Sequence, residues 1–416
     1  MAANFQSLIG LAVLPMLAWL MCSRDKRLEP LTAIKLVGAG IGLQFLIAGA
    51  FVLVPQLTVV FDWVASGVLA LQAATNAGMK LVFGYLAGGP APFEAVNPNN
   101  GFVLATQALP LILVMSVLSK LLYHFGILQK VVAGFAWVLG KTLGVPGPLS
   151  MATAANIFVG MVEAPLLIKP YFASMSRGAL FATMTAGMAT VAGTVLALYA
   201  ALLEPTITGA TGHILVASVM SAPAAIVIAK LMEPWEDEAA DVHLAKIEKP
   251  TGSVMAAITE GTTDGLKLLA LVIAMLVVMV SLIALLNMIL GLLPWGVTVE
   301  KIFGWFAAPF AWLIGIEWKD AIVAGELIGT KTVINEFLAY LKLAQTPDGD
   351  LSERSRIILT YALCGFANPG SLGIMTGGLI AIAPERRADI LALGPRCLIS
   401  GTLATLMTGA VIGVLN

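Results

Sequence analysis

Two carboxylates lie deep inside apolar sequence: Glu163, in Gly160-Met161-Val162-Glu163-Ala164-Pro165, and Glu336, in Asn335-Glu336-Phe337. Charged residues make up only 11% of the chain. An ionisable group at membrane depth is costly, so it normally faces a protein interior or a water-filled cavity. Both stretches carry helix breakers, Gly160 and Pro165 around the first and Gly325 and Gly329 before the second. Interrupted helices bearing charges near the membrane midplane are how solute and ion sites are built there. Two more polar groups sit in small-residue or helix-breaking sequence: Thr190 within Gly187–Gly193, and Phe366-Ala367-Asn368-Pro369-Gly370-Ser371.

The chemistry of these groups divides. A hard monovalent cation is held by neutral oxygens, which Asn156, Thr190 and the carbonyls of unwound backbone can supply. A polyhydroxylated solute is held by carboxylates and amides in paired hydrogen bonds, which the groups around Glu336 and Asn368-Ser371 can supply. The competing reading of each Asn or Thr is an interhelical hydrogen bond that only stabilises a bundle. Lys331 reads as a structural partner for an acidic group of its own segment, such as Glu326, rather than as a solute ligand.

Other chemistries find little support. No convincing nucleophile–base pair, zinc spacing or phosphate loop is present, so no enzyme and no cofactor are expected. A net charge of −1 leaves no nucleic-acid footprint. Cys22, Cys364 and Cys397 share no spacing and read as buried small hydrophobes. His124, His213 and His243 are isolated and read as membrane-surface or solvated residues.

The elements that must position these groups follow from hydropathy. Hydrophobic residues are 59% of 416, against about 45–50% in soluble proteins. The expected fold is an all-α integral membrane protein. Eight spans are read: Phe5–Met21, Ile34–Val54, Phe102–Leu122, Leu180–Leu203, Ile214–Leu231, Leu268–Leu293, Ile357–Ile382 and Cys397–Val414. Phe5–Met21 lacks the basic start and cleavage site of a signal peptide and reads as a span. The basic groups Arg24-Asp25-Lys26-Arg27, Arg177, Lys246 with Lys249, and Arg386 with Arg387 fall on one side if both termini lie outside. Leu57–Leu86 reads as an interfacial helix, Gly88–Asn100 as an external loop, and Glu233–Pro250 as a solvated inner loop.

Two stretches do not fit a simple crossing. With that topology, Phe125–Pro170 begins and ends inside, and Trp318–Leu343 begins and ends outside. Non-helical backbone at membrane depth is tolerated only where it is buried in protein or lines a cavity. Both read as re-entrant hairpins entering from opposite faces. Each is followed by two spans, which makes an inverted repeat of about Phe125 to Leu231 and Trp318 to Val414. The chain then divides into N-terminal spans with an interfacial helix (1–124), a first repeat (125–231), a loop with scaffold span six and an outer interfacial segment (232–317), and a second repeat (318–416). A channel would not need opposed hairpins.

Gly329-Thr330-Lys331-Thr332-Val333-Ile334-Asn335-Glu336-Phe337 resembles the G-x-K-x-x-x-N-E-F signature of concentrative nucleoside transporters. AANIFVGMVEAPLLIKPY, Ala154 to Tyr171, is similar to that family's first hairpin, and Tyr361 to Asn368 with Ser371 follows in the family's order. The resemblance runs from about the first span to the C-terminus, in the shorter bacterial form. It implies a homotrimer in the bacterial cytoplasmic membrane, contacting lipid and no nucleic acid. Each protomer would import a nucleoside by sodium symport. Glu336, Asn368 and Ser371 match ribose-binding positions, and Glu163 matches a residue near the base. Phe366 and Val195 match apolar walls. Asn156, Thr190 and the carbonyls of Val159 and Val191 match a sodium site. Proton-coupled relatives tend to lose the asparagine, so keeping Asn156 favours sodium. Two departures stand out. The family usually reads Gly-Gln-Thr/Ser-Glu where this chain has Gly160, Met161, Val162 and Glu163, and Pro369-Gly370 replaces less helix-breaking residues. The alternatives are proton coupling, or transport of another ribosyl or polyol solute.

Overall fold

The computed structural model describes residues 2–53, 55–94, 101–235, 252–294 and 296–416. Part of the expected loop Gly88–Asn100 and most of Glu233–Pro250, with His243, Lys246 and Lys249, lie outside them. The described residues form helices and connecting turns, with no strand among them. Among the described residues, six stretches are long and apolar enough to cross a membrane: Pro30–Phe51, Leu104–His124, Arg177–Leu203, Ala210–Met232, Val254–Leu290 and Pro384–Leu415. The other two expected spans are also helical. Ala2–Leu20 is a shorter apolar helix, and the seventh span is split into Glu353–Ala362 and Pro369–Ile382. A single helix, Pro55–Phe83, occupies the stretch expected to be interfacial.

Burial separates a centre from a periphery. In Ala210–Met232, 89% of the most apolar window is buried, against 11% in Val254–Leu290. A helix hydrophobic all round is either a core helix or one facing lipid, and these two fill the two roles. All three cysteines are buried and free, as expected.

The two halves share one order of elements. The first has Gly147–Asn156, a turn, the short helices Glu163–Leu166 and Lys169–Phe172, the pair Arg177–Ala189 and Gly193–Leu203, then Ala210–Met232. The second has Trp318–Val333, a turn, Glu336–Gln345, the pair Glu353–Ala362 and Pro369–Ile382, then Arg387–Leu415. Glu163 and Glu336 each open the second arm of their hairpin. The first hairpin differs from expectation in where it starts. Ile127–Leu143 is a separate helix, flanked by Gly126 and Gly144 with φ of 74° and 62°. Left-handed glycines commonly end helices. Its buried residues Leu128, Val132, Ala136, Leu139 and Leu143 form one stripe. The hairpin proper begins only after Pro146. In the second half the helix Val299–Leu313 bends by 120° into Trp318–Val333.

Both broken spans are interrupted where two segments of backbone come close. In the first, Thr190 and Ala192 are extended. A Cβ on Gly193 would stand 2.7 Å from the carbonyl oxygen of Phe158 in the first hairpin turn, and the Gly193 N–H donates to that oxygen at 3.1 Å. In the second, Pro369 opens the new helix, where its missing N–H would have had no partner within the helix anyway. A Cβ on Gly365 would lie 2.9 Å from the Ala189 carbonyl oxygen. The two breaks therefore rest against each other at the middle of the molecule.

Candidate functional site

The hairpin turns and the second arms of the broken helices, together with the helices Leu111–His124, Ile127–Leu143 and Val254–Leu290, line a cavity of about 390 Å³, within the roughly 300–1,000 Å³ typical of ligand sites. All nine residues expected to bind solute line it: Gly160, Met161, Val162, Glu163, Val195, Glu336, Phe366, Asn368 and Ser371. Val159 lines it as well. Asn156, Thr190 and Val191 are not part of its wall and are buried.

Glu336 is held at both carboxylate oxygens. The Tyr199 hydroxyl donates to Oε1 at 2.7 Å, and Asn368 Nδ2 donates to Oε2 at 2.8 Å. Asn335 caps the helix that Glu336 opens, accepting from the Leu338 N–H at 2.9 Å. Asn368 caps the helix carrying Ser371, accepting from the Ser371 N–H at 2.8 Å. Two helix N-termini, the favourable end for negative charge, thus converge on one carboxylate. An ionised carboxylate offers about four acceptor positions, so two remain for hydroxyls of a solute. Sequence reasoning missed Tyr199, because a tyrosine among Gly193-Thr194-Val195-Leu196-Ala197-Leu198 reads as one more membrane aromatic. Its signal was being the one phenol on a half-helix that otherwise carries aliphatics.

Glu163 lies differently. It is exposed toward the cavity rather than buried. A Cβ at Gly160 would meet its carboxylate, so a side chain there would turn the Glu163 carboxylate out of its present position. Val162 packs on the helix of the second broken span: its methyl carbons stand 2.6 and 2.7 Å from where a Gly378 Cβ would be. The apolar replacement thus both packs and lines the cavity.

Behind the wall, Asn156 is 2% exposed, and neither its Oδ1 nor its Nδ2 has a hydrogen-bond partner among the described residues. An unpaired buried polar group costs about 1–3 kcal/mol, which makes this amide unusual. Thr190 Oγ1 donates to the carbonyl of Asn156 at 3.2 Å and of Ala186 at 2.8 Å, which ties the helix break to the first hairpin. The Val191 carbonyl accepts from Ser218 Oγ at 3.2 Å. Thr153 Oγ1, one turn before Asn156, is buried and likewise without a partner among the described residues. Amide, hydroxyl and carbonyl oxygens without a carboxylate suit a monovalent cation. Ser218 and Thr153 were not foreseen, since isolated hydroxyls in apolar helices are common.

Two expectations are corrected. Lys331 does not pair with Glu326. Five residues apart on one helix, they point about 140° from each other. The Lys331 ammonium donates instead to the Ala362 carbonyl at 2.9 Å and Thr405 Oγ1 at 2.6 Å. Ala362 ends its helix, where carbonyls are unpaired and cations are favoured. His213 is not solvated: it packs against Phe51 and Tyr361, with Nδ1 2.9 Å from the Tyr361 hydroxyl. Another polar end of the cavity escaped the sequence reading, where Lys120 and Asp264 pair at 2.9 Å.

Three family models match consecutive parts of the chain. "Na+ dependent nucleoside transporter N-terminus" matches residues 9–86, "Nucleoside recognition" 105–206, and "Na+ dependent nucleoside transporter C-terminus" 213–413. An uncharacterized transporter of Haemophilus influenzae is 38% identical over 98% of this chain and 97% of its own length. The nucleoside permease NupC of Helicobacter pylori is 34% identical over 98% and 97%. The solved structure of CNTnw in an inward-facing substrate-bound state is 37% identical, with a TM-score of 0.88 over 99% of this chain and 98% of that one. These relatives are transporters and not enzymes. The motifs on both hairpins and both helix breaks fall around one cavity, and the likeness runs the length of the chain: it belongs to the concentrative nucleoside transporter family.

Proposed function

We propose that this chain is a symporter that imports nucleosides with sodium across a bacterial cytoplasmic membrane by alternating access. The observation that carries the coupling is the buried, unpartnered side-chain amide of Asn156, on a residue whose backbone carbonyl accepts from Thr190 at the break in the first broken span. Sodium would be held by Asn156, Thr190 and the carbonyls of Val159 and Val191. Glu336, Asn368 and Ser371 would take the ribose hydroxyls. Glu163 would meet the base, beside Gly160, Met161 and Val162, with Val195 and Phe366 as apolar walls. CNTnw, whose structures include inward-facing, intermediate and outward-facing states, supports alternating access as the mode of transport. We further propose a homotrimer with both termini outside and hairpins inserted from opposite faces. The test is counterflow uptake in proteoliposomes, screened across nucleosides with and without sodium. Uptake that is saturable and sodium-dependent is expected. Equal uptake without sodium, or uptake driven by a proton gradient alone, would overturn the coupling.

The apolar pair in the first hairpin bears on specificity. Met161 and Val162 offer no strong hydrogen bond to a base edge. A pocket that hydrogen-bonds its ligand rejects analogues lacking the group, whereas an apolar one discriminates by only about 1–3 kcal/mol per methylene-sized change. The wild type is expected to accept a wider range of bases than it accepts changes to the ribose. Met161→Gln with Val162→Thr is expected to sharpen competition between uridine and adenosine and leave 2′- and 3′-deoxy discrimination unchanged. An unchanged base profile would place these side chains outside base recognition.

A further inference from the structure

Tyr199 stands between the two parts of the proposed site. It is 2% exposed and lies on the second arm of the first broken span, Gly193–Leu203. That arm starts directly after Thr190, Val191 and Ala192, the stretch proposed to ligate sodium. Its first N–H is fixed to Phe158 of the hairpin that carries Asn156. Six residues on, about 9 Å along the helix, the Tyr199 ring stacks on Tyr340 at 5.0 Å and leans on Phe337 at 6.2 Å. Both neighbours belong to the helix that Glu336 opens. The hydroxyl then takes one oxygen of Glu336 at 2.7 Å. A short helix is a stiff rod, so seating its N-terminus against the first hairpin sets where the phenol stands.

We propose that Tyr199 is a positioning residue that couples the ion site to the ribose site. Cation binding, by drawing the oxygens of Thr190 and Val191 toward Asn156, fixes the second arm. Tyr199 in turn fixes the Glu336 carboxylate, with Asn368 on its other oxygen, so that the remaining acceptor positions face the ribose. The inference rests on the sodium-coupled nucleoside reading, and it adds that the two ligands communicate through one phenol.

Equilibrium binding of uridine and of its 2′- and 3′-deoxy forms, with and without sodium, to full-length Tyr199→Phe tests it. The ring and its stacking are kept and only the donor is lost. Wild-type uridine affinity should rise with sodium. In Tyr199→Phe the affinity in sodium should fall about tenfold, the value of a hydrogen bond to a charged group. The sodium enhancement should shrink, the deoxy forms should lose less than uridine, and thermal stabilisation by sodium alone should persist. p-Aminophenylalanine at position 199 restores a donor at the same place and should restore the enhancement, including where Tyr199→Phe itself folds poorly. Wild-type sodium enhancement in Tyr199→Phe, an equal loss for uridine and its deoxy forms, loss of stabilisation by sodium alone, or no rescue would each overturn the proposal. A wild type whose uridine affinity ignores sodium would instead refute the sodium-coupled reading itself.

Discussion

Glu336→Gln is expected to abolish measurable nucleoside uptake while leaving membrane insertion intact. The wild-type carboxylate accepts from Tyr199 on one oxygen and Asn368 on the other. Glutamine is nearly the same shape, but one of its two ends is a donor. Turned one way, its NH₂ faces the Asn368 NH₂. Turned the other way, it faces the Tyr199 hydroxyl, which must rotate away from its present direction. In either pose only one atom still accepts, and the sites left for ribose hydroxyls are halved. Hydrogen bonds to charged groups contribute about 1.5–3 kcal/mol each, so affinity should fall at least about tenfold, and roughly a hundredfold if two are lost. Purified Glu336→Gln in detergent, measured by equilibrium binding of labelled uridine, gives the answer directly. Binding close to wild type would remove Glu336 from ribose recognition.

Asn156→Ala with Thr190→Ala is expected to raise the sodium concentration for half-maximal uptake by roughly thirtyfold, taking each neutral oxygen as contributing about 1 kcal/mol. The two substitutions differ in what else they remove, which makes the singles informative. The Asn156 amide has no partner to lose among the described residues. Asn156→Ala alone should therefore melt no lower than wild type in sodium-free buffer, and it should lose the upward shift in melting temperature that sodium gives the wild type by binding the folded state. Thr190→Ala removes hydroxyl bonds to two carbonyls and should lower stability with or without sodium. If the double variant keeps wild-type uptake and the same sodium dependence, the ion site lies elsewhere.

Much of this was legible in the sequence. Long apolar runs without charge could only be helices in lipid, because every backbone group there must find a partner within the chain. Glycine and proline marked both helix breaks, and motif order placed hairpin, broken span and span twice. Charge scarcity made Glu163 and Glu336 conspicuous, and both line the cavity. Other features came only with the tertiary structure. Hydropathy cannot tell an amphipathic helix from the first arm of a hairpin when one apolar stretch covers both, so Ile127–Leu143 became visible only by which face it buries. It cannot choose partners either: Lys331 reaches across to Ala362 and Thr405 because those oxygens face it in space, and nothing along its own helix could. Tyr199 meets Glu336 across 137 residues. Which residue types could hold a cation and a polyol follows from side-chain chemistry and was readable along the chain. Which of them stand within 3 Å of one another was decided by how the first hairpin and the two broken helices pack, where glycine at 193 lets the first broken helix approach the hairpin turn at Phe158 and glycine at 365 lets the second break approach Ala189 more closely than a side chain would allow.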